Sequence, residues 1–418
     1  MAWCNSKITN KTSRHPIVEK IIIHGLKRTK PIVVLRELLI KKGQAFSTSD
    51  LLESIQQLKN LQIFSYVRPY LSLKENNKVV VTIDVKEKWT TIPYFSYTAG
   101  GGLRYMRAGL YDINWLGKYI QIGAEYTNWN GESGGAFWYD NPRVFNKKNR
   151  ITMTVESTQK PRTMYTTQGN IQARFVLKRS AFSLSYKKTF HNIFQIGWLA
   201  EYFEDNIHDL NDISLSNSSK ALITKNSSST TLLNTLTLKL GRLNYDIDVI
   251  NGKESQLLLS HSSKQLLSNT SFNKVKWLNQ AYFQLPWRRS YIATNFVLAS
   301  TNTELIQQYY SVGGFDNIRG YFDGQFRNKS FWQANIEYRI PSYRSPWIVL
   351  QHIFFIDVAN ATDRIEKLGK FSNNIYSAGI GFRLISPKIY SFNGRLDFAL
   401  YTSGSSKTSI SLGTQHFF

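Results

Sequence analysis

The segment Ser311–Gly324, SVGGFDNIRGYFDG, holds four glycines, two acids, one arginine and three aromatics, inside a stretch (301–329) of little strand character. Three chemistries are open to it: a solvated loop, a phosphate cradle, or a plug that folds back into the protein. A Walker-type cradle needs a different glycine spacing and a following Lys-Ser/Thr, and neither is present. Elsewhere the seven histidines form no HxH or HxxxH pair. Cys4 is the sole cysteine, which excludes an intrachain disulfide and a thiolate metal site. Acid pairs such as Glu204-Asp205 read as solvated loop residues, and Ser-His-Asp catalysis would need a nucleophile elbow, for which no GxSxG is expected. The expectation is no catalytic residue, no metal, no cofactor and no enzyme.

The elements that would position such a loop are legible in outline. The chain has 418 residues, 42% of them apolar and 14% aromatic, so wholesale disorder is excluded. Net charge is +24, yet the basic residues are scattered singly or in pairs such as Lys147-Lys148 and Arg288-Arg289, which argues against a nucleic-acid partner. No apolar run reaches the ~18 residues of a membrane helix. The opening MAWCNSKITN carries no signal-peptide pattern; the chain is mature or truncated, or its export takes another route. A serine-rich stretch (214–230) reads as an exposed loop.

Residues 16–90 read as a small mixed domain. VEKIIIH is a strand closed by Gly25, and Pro31 opens a helix through VVLRELLIKK that Gly43 stops. A second helix follows, with Ser47 or Ser49 as N-cap and Leu51, Leu52, Ile55 and Leu58 on one face. FSYVRPYLSLK and KVVVTIDVKEK then form two strands, giving a β-α-α-β-β order with at least one edge strand.

From about Ile92 helical periodicity gives way to alternation in ~10-residue segments, among them YIQIGAEYTNW, FQIGWLAEYF and FWQANIEYRI, many ending in aromatics. Sixteen or seventeen strands fit 92–418, the doubt lying in 166–190; an even number closes a single-chain barrel, so sixteen is expected. Short connections (Pro341–Pro346, Ser386–Tyr390) alternate with longer ones (301–329, 359–374 and, less long, 403–407), and Phe418 ends the last strand. A sandwich or propeller fits less well, since no ~40-residue repeat is found. On the alternating strand FWQANIEYRI, Glu337 and Arg339 share a face; a charge facing lipid costs ~2–4 kcal/mol at midplane for Arg or Lys, so both should face the lumen.

These segments resemble a known family. VEKIIIHGLKRT, GQAFSTSDLLESIQQLKNLQIFSYV and VVVTIDVKEK resemble a POTRA domain in order, and GGFDNIRGY resembles the V/IRGF/Y signature of the bacterial surface antigen superfamily, the outer-membrane assembly and two-partner secretion barrels. AGLYDINWLGKY (108–119), FFIDVANA (354–361) and AGIGFRL (378–384) fall where that family has its first periplasmic turn, its acidic strand motif and a later strand; the usual glycine two residues after the motif acid is Ala359 here. The resemblance implies a mainly β fold, a 16-stranded antiparallel transmembrane β-barrel (91–418) behind an N-terminal extension (1–15) and one βααββ POTRA domain (16–90).

The resemblance further implies that loop 301–329 folds into the lumen, with Gly313, Gly314, Ile318, Arg319, Gly320 and Tyr321 as its motif. Arg319 would pair with a wall acid, Asp357 first and Glu337 second, with Arg383 nearby; Gly320 would allow the turn a buried tip requires. It implies a weak seam between strand edges near 92–99 and 408–418. Localisation would be the bacterial outer membrane with the POTRA domain in the periplasm, or, for an organellar homologue, the equivalent membrane. Partners would be outer-membrane lipid or lipopolysaccharide, unfolded or nascent protein clients, and accessory periplasmic proteins. Insertion of polypeptide, secretion of one exoprotein, and a passive pore or surface antigen remain alternatives.

Overall fold

The computed structural model describes residues 15–100, 103–217, 220, 223–224, 227–246, 248–287, 289–314, 317–370, 374–389, 393–403 and 405–414. Cys4, Arg288, Phe315, Asp316 and Phe418, all singled out above, lie outside them. The chain divides into two compact units, one up to Glu87 and one from Lys88.

In the first unit, β1 (Ile17–His24), α1 (Pro31–Leu35), α2 (Thr48–Asn60), β2 (Phe64–Lys74) and β3 (Lys78–Glu87) follow in order. The sheet order is β1-β3-β2, with β1 parallel and β2 antiparallel to β3. Strand β3 is therefore the centre, and the edges are β1 and β2. Val79, Val81, Ile83 and Val85 alternate into a core shared with Val33, Leu51, Ile55 and Leu58. Ser47 caps α2 by accepting from the Asp50 N–H at 3.2 Å.

Two details differ from expectation. The first helix stops at Leu35 rather than continuing to Gly43. The chain beyond it is recruited elsewhere: the Leu39 N–H donates to Ser54 Oγ, and Gly43 N–H and Gln44 C=O bond to the backbone of Val18. Those sheet-edge and side-chain bonds replace the i→i−4 ladder. Leu52 is 63% exposed, because it lies about 100° round the helix from the Leu51–Ile55–Leu58 stripe.

The second unit is a 16-stranded antiparallel sheet. Its strands are β4 (Thr91–Gly100), β5 (Leu103–Asp112), β6 (Gln121–Trp129), β7 (Glu132–Asn141), β8 (Asn149–Tyr165), β9 (Ile171–Phe190), β10 (Phe194–Asp212), β11 (Ser228–Asp246), β12 (Val249–Ser262), β13 (Phe272–Gln284), β14 (Tyr291–Thr301), β17 (Ser330–Arg344), β18 (Val349–Thr362), β19 (Ile375–Ile385), β20 (Asn393–Ser403) and β21 (Ser405–Thr414). Two three-residue strands, β15 (Tyr310–Val312) and β16 (Phe326–Asn328), pair with each other inside the long connection 302–329. Neighbours in sequence are neighbours in the sheet throughout, with β14 and β17 joined across that connection. The sheet curls until its end strands β4 and β21 come within 8 Å in Cα positions, although no ladder joins them among the described residues.

Alternation sorts the side chains into two environments. On β14 Tyr291, Ala293, Asn295, Val297 and Ala299 are buried inside. Outside, large apolar side chains stay exposed on strand after strand, for example Phe95, Phe137, Phe182, Trp198, Phe354 and Ile380. Large apolar side chains exposed on so many successive strands fit a lipid environment.

The connections divide by rim. The rim at which β4 begins carries 113–120, 142–148, 191–193, 247–248, 285–290, 345–348 and 386–392; the other carries 166–170, 213–227, 263–271, 302–329 and 363–374 beside three tight hairpins. The region 166–190 holds one strand from Ile171, so no seventeenth strand arises. The expected loop 403–407 is instead a tight hairpin, since Ser403 pairs with Ser405. Pro341 lies within β17, tolerated at a bulge between Pro341 and Tyr343.

Glu204 and Asp205 lie in a strand rather than a loop, and only Glu204 is exposed. Strand β10 runs nine residues past Phe203, and its alternation turns Asp205 inward, where it is fully buried against the Arg179 guanidinium at 2.6 and 2.7 Å. Residues 131–135, GESGG, do have GxSxG spacing, but they form the β6–β7 hairpin rather than a strand-to-helix elbow, and Ser133 Oγ meets Tyr126 Oη at 2.8 Å. Among the described residues no group of three or more His, Cys, Asp or Glu could hold a metal.

Candidate functional site

The 302–329 connection runs inside the barrel. Leaving β14, Leu305 enters an apolar cluster with Phe203, Leu233 and Phe272, while Gln307 and Gln308 donate to Ser229 Oγ and Asp205 Oδ2 at 2.9 and 3.1 Å. The β15–β16 ribbon carries the chain inward. Its descending arm turns at Gly313 and Gly314, and the Gly314 Cα sits so close to Asp323 that a Cβ would fall 2.7 Å from the Asp323 Cα. Ile318, fully buried, packs with Val312, Tyr321, Val297, Phe331 and Ala359; Ala359 thus lines the floor on which the tip rests.

At the tip stands Arg319, 1% exposed. Its Nε and Nη2 donate to Asp357 Oδ2 and Oδ1 at 2.8 and 2.7 Å, its backbone N–H donates to the same carboxylate at 3.2 Å, and Nη1 donates to Glu337 Oε1 at 2.6 Å. The guanidinium carbon also lies 3.5 Å from the Phe355 ring centroid, a cation–π contact. Arg319 therefore meets two carboxylates from adjacent strands β17 and β18, both inward on the pleat.

These acids belong to a wider network. Glu337 also accepts from Arg339 at 2.6 Å and from Arg383 at 3.1 Å. Arg383 reaches Asp397 at 2.6 Å, Arg319 Nη1 lies 3.9 Å from Asp397, and Arg395 Nε lies 3.7 Å from it. Asn335 donates to Asp357 at 3.0 Å and to the Asn317 carbonyl at 2.9 Å, tying the loop backbone to the same wall. Four arginines and three carboxylates, all at most 3% exposed, thus meet in one buried cluster. Removing one member of such a cluster strands charge in a low-dielectric interior, a cost of ~3–5 kcal/mol.

Gly320 and Tyr321 complete the tip. Gly320 has φ +99°, and a Cβ there would stand 2.6 Å from the Tyr401 ring. Tyr321 donates to the Tyr376 carbonyl at 3.0 Å and tilts against Tyr401 with centroids 4.8 Å apart. On the far side Phe322 stacks on Tyr165 at 5.0 Å, Arg162 faces Asp323 at 3.6 Å, and Gln325 donates to the Thr167 carbonyl at 3.3 Å. The loop thus bridges the interior from the β17–β20 wall to the β8–β9 hairpin.

A second closure lies at the opposite rim. Asp248, fully buried beside the β11–β12 turn, meets Arg344 of β17 at 2.5 Å, and its carbonyl accepts from Gln351 of β18 at 2.7 Å. Val249 and Ile250 behind it join Leu243, Tyr282, Tyr291 and Ala293 in an apolar cluster.

The structure brings Gly313, Gly314, Ile318, Arg319, Gly320, Tyr321, Asp357, Glu337 and Arg383 into one region. Sequence reading missed Asp397, Arg395, Asn335 and Phe355. The available signal for the first two was the alternate pair Arg395-x-Asp397 in NGRLDF, which places both charges on one strand face. The Asp248 closure carried no signal, since it joins residues 96 apart in the chain.

Comparison with known proteins places this geometry. Residues 16–88 match the family described as surface antigen variable number repeat, POTRA, and residues 114–414 match the Omp85 superfamily domain. A Treponema pallidum (strain Nichols) protein described as an outer membrane protein assembly factor is 38% identical over 131 residues, 29% of this chain; the match spans 15% of that relative's length. Among solved structures, BamA from Haemophilus ducreyi lacking POTRA domains 1–3 has a TM-score of 0.59 at 16% identity, covering 96% of this chain and 84% of that one. CdiB from Escherichia coli has a TM-score of 0.64 at 12% identity, with 96% and 76% covered, and CdiB from Acinetobacter baumannii 0.60 at 11%, with 96% and 74% covered. At these identities the structural likeness speaks to fold.

Proposed function

The chain belongs to the Omp85 superfamily, and from that premise we propose that it is an outer-membrane barrel that inserts polypeptide into the membrane, using pairing at the β4–β21 seam as the route. The small unit lies in the periplasm, and its exposed edge captures extended client segments by strand addition. No nucleotide or cofactor takes part. The driving terms are burial of client apolar surface in lipid and backbone hydrogen bonding to the seam edges.

The observation that carries this reading is a contrast within the barrel. The interior is occupied from one side by the Arg319 loop and latched at the other by Asp248–Arg344, whereas no ladder joins β4 to β21 among the described residues. Passage through the lumen requires both closures to give way. Lateral pairing requires neither. Edge strand β2 exposes Tyr70, Leu71 and Leu73, which supports it as the capturing edge.

The test is site-specific photocrosslinking in cells from Tyr70 and Leu73 on β2 and from Ile410 and Leu412 on β21. Recovery of nascent barrel chains at both places is expected. Recovery of a single large exoprotein moves the assignment to secretion, and absence of any trapped polypeptide leaves a passive pore.

A further inference from the structure

We propose that the rim at which β4 begins is a binding surface for anionic phospholipid headgroups, built from short turns that pair an exposed apolar side chain with a cation. This rests on the membrane reading above but concerns a surface which that reading does not use.

Two of the turns share an uncommon backbone. In 113–120, Leu116 has φ +54° and is 60% exposed; in 142–148, Phe145 has φ +53° and is 87% exposed. Large non-glycine residues rarely adopt this left-handed conformation, and solvent exposure of their side chains gives no packing compensation in water. Each is followed within three residues by lysine: Lys118 after Leu116, Lys147 and Lys148 after Phe145. Each turn thus exposes an apolar side chain with cations within three residues of it, the composition by which amphipathic segments enter a headgroup layer.

Other turns of the same rim repeat the composition. Trp287 and Trp347 are exposed, and the Lys388 ammonium lies over the Trp347 ring. Among the described turn residues the cations are Lys118, Arg143, Lys147, Lys148, Arg289 and Lys388, of which Arg289 pairs with Asp246 at the end of β11; the one turn acid, Asp248, is buried against Arg344. The opposite rim differs: there Glu304, Asp363 and Glu366 are interleaved with basic residues in the same connections, and ion pairs such as Lys329–Glu304 and Lys367–Asp363 form on it. Both rims border the apolar outer band, so aromatic content alone does not separate them. The placing of acids does: the described turns at which β4 begins hold no exposed acid, and cations without interleaved acids at the level of the headgroups select anionic lipid.

The full chain is inserted into vesicles of phosphatidylcholine alone or mixed three to one with phosphatidylglycerol, and lipid retained on extraction is read by native mass spectrometry. Wild type should retain phosphatidylglycerol in at least tenfold preference at low salt, the preference shrinking as ionic strength rises. Combined Lys118→Gln, Arg143→Gln, Lys147→Gln and Lys148→Gln should abolish the preference, while Lys264→Gln, Arg364→Gln, Lys367→Gln and Lys370→Gln at the other rim should leave it. Leu116→Ser with Phe145→Ser should reduce retention of both lipids, with heat-modifiable gel mobility confirming an intact barrel. Equal retention of the two lipids by wild type, or equal loss from both charge variants, overturns the proposal. Failure of wild type to enter vesicles of either composition overturns the membrane reading and this surface with it.

Discussion

Arg319 and Asp357, 38 residues apart in the chain, face each other fork to fork: Nε to Oδ2 at 2.8 Å and Nη2 to Oδ1 at 2.7 Å, with the Arg319 backbone N–H on the same carboxylate. Such bidentate geometry is available to arginine and not to lysine. It fixes a loop tip in the middle of two strands rather than merely neutralising a charge.

Arg319→Ala should therefore destabilise the seated loop by ~3–5 kcal/mol, since Asp357 and Glu337 are left buried with fewer partners. Arg319→Lys should recover part of this by supplying charge without the fork. Single-channel recordings check it: the alanine variant should show larger and more frequent openings than wild type, with lysine between them. Unchanged conductance in both variants would show that the loop is held by its other contacts.

Gly320→Ala combines two penalties, a left-handed φ and a Cβ 2.6 Å from the Tyr401 ring, at ~1 kcal/mol or more for the backbone alone. The loop should become accessible to protease added from the 302–329 side. Tyr401→Ser in the same chain should restore part of the protection by removing the clash. If the double variant is as accessible as the single one, the backbone conformation is the dominant cost.

Asp248 and Arg344 join the β11–β12 turn to β17 at the other rim. Arg344→Ala should loosen that turn and, combined with Arg319→Ala, raise conductance more than either change alone, because two closures stand in series. The comparison of single and double variants in planar bilayers measures it. A double variant no more conductive than Arg319→Ala assigns the seal to the loop.

Glu87 of the small unit sets a pH dependence. Burial raises its pKa, but hydrogen bonds from Thr29, Arg28 and Lys27 act against this and hold it below the usual carboxylate range. A carboxyl whose folded pKa is depressed contributes stability that is present above the unfolded value, about 4.3, and is lost as pH falls through the folded value. Proteolytic protection of residues 15–87 should drop below about pH 4 for this reason. Glu87→Gln should lower protection at neutral pH and flatten that dependence.

The alternation from Ile92 onward made the strand number and the inward phase of Glu337 and Arg339 legible, because period two is a local property that lipid and interior read in opposite ways. Local patterning failed where a competing contact came from afar. The first helix ends at Leu35 because Val18 and Ser54 claim the backbone beyond it, and Asp205 is buried because β10 continues past its apolar stretch to meet Arg179.

The sequence by itself determined the strand pattern, the turn glycines and a loop carrying an arginine too isolated to be left in an apolar interior alone. Only the tertiary structure decided which acids surround that arginine. The register of β17 and β18 sets Asn335 opposite Asp357 and Glu337 opposite Phe355, and curling of the sheet carries β20 round to add Asp397 and Arg395. Pairing of charges across strands depends on register and closure, and neither is written in any one segment of the chain.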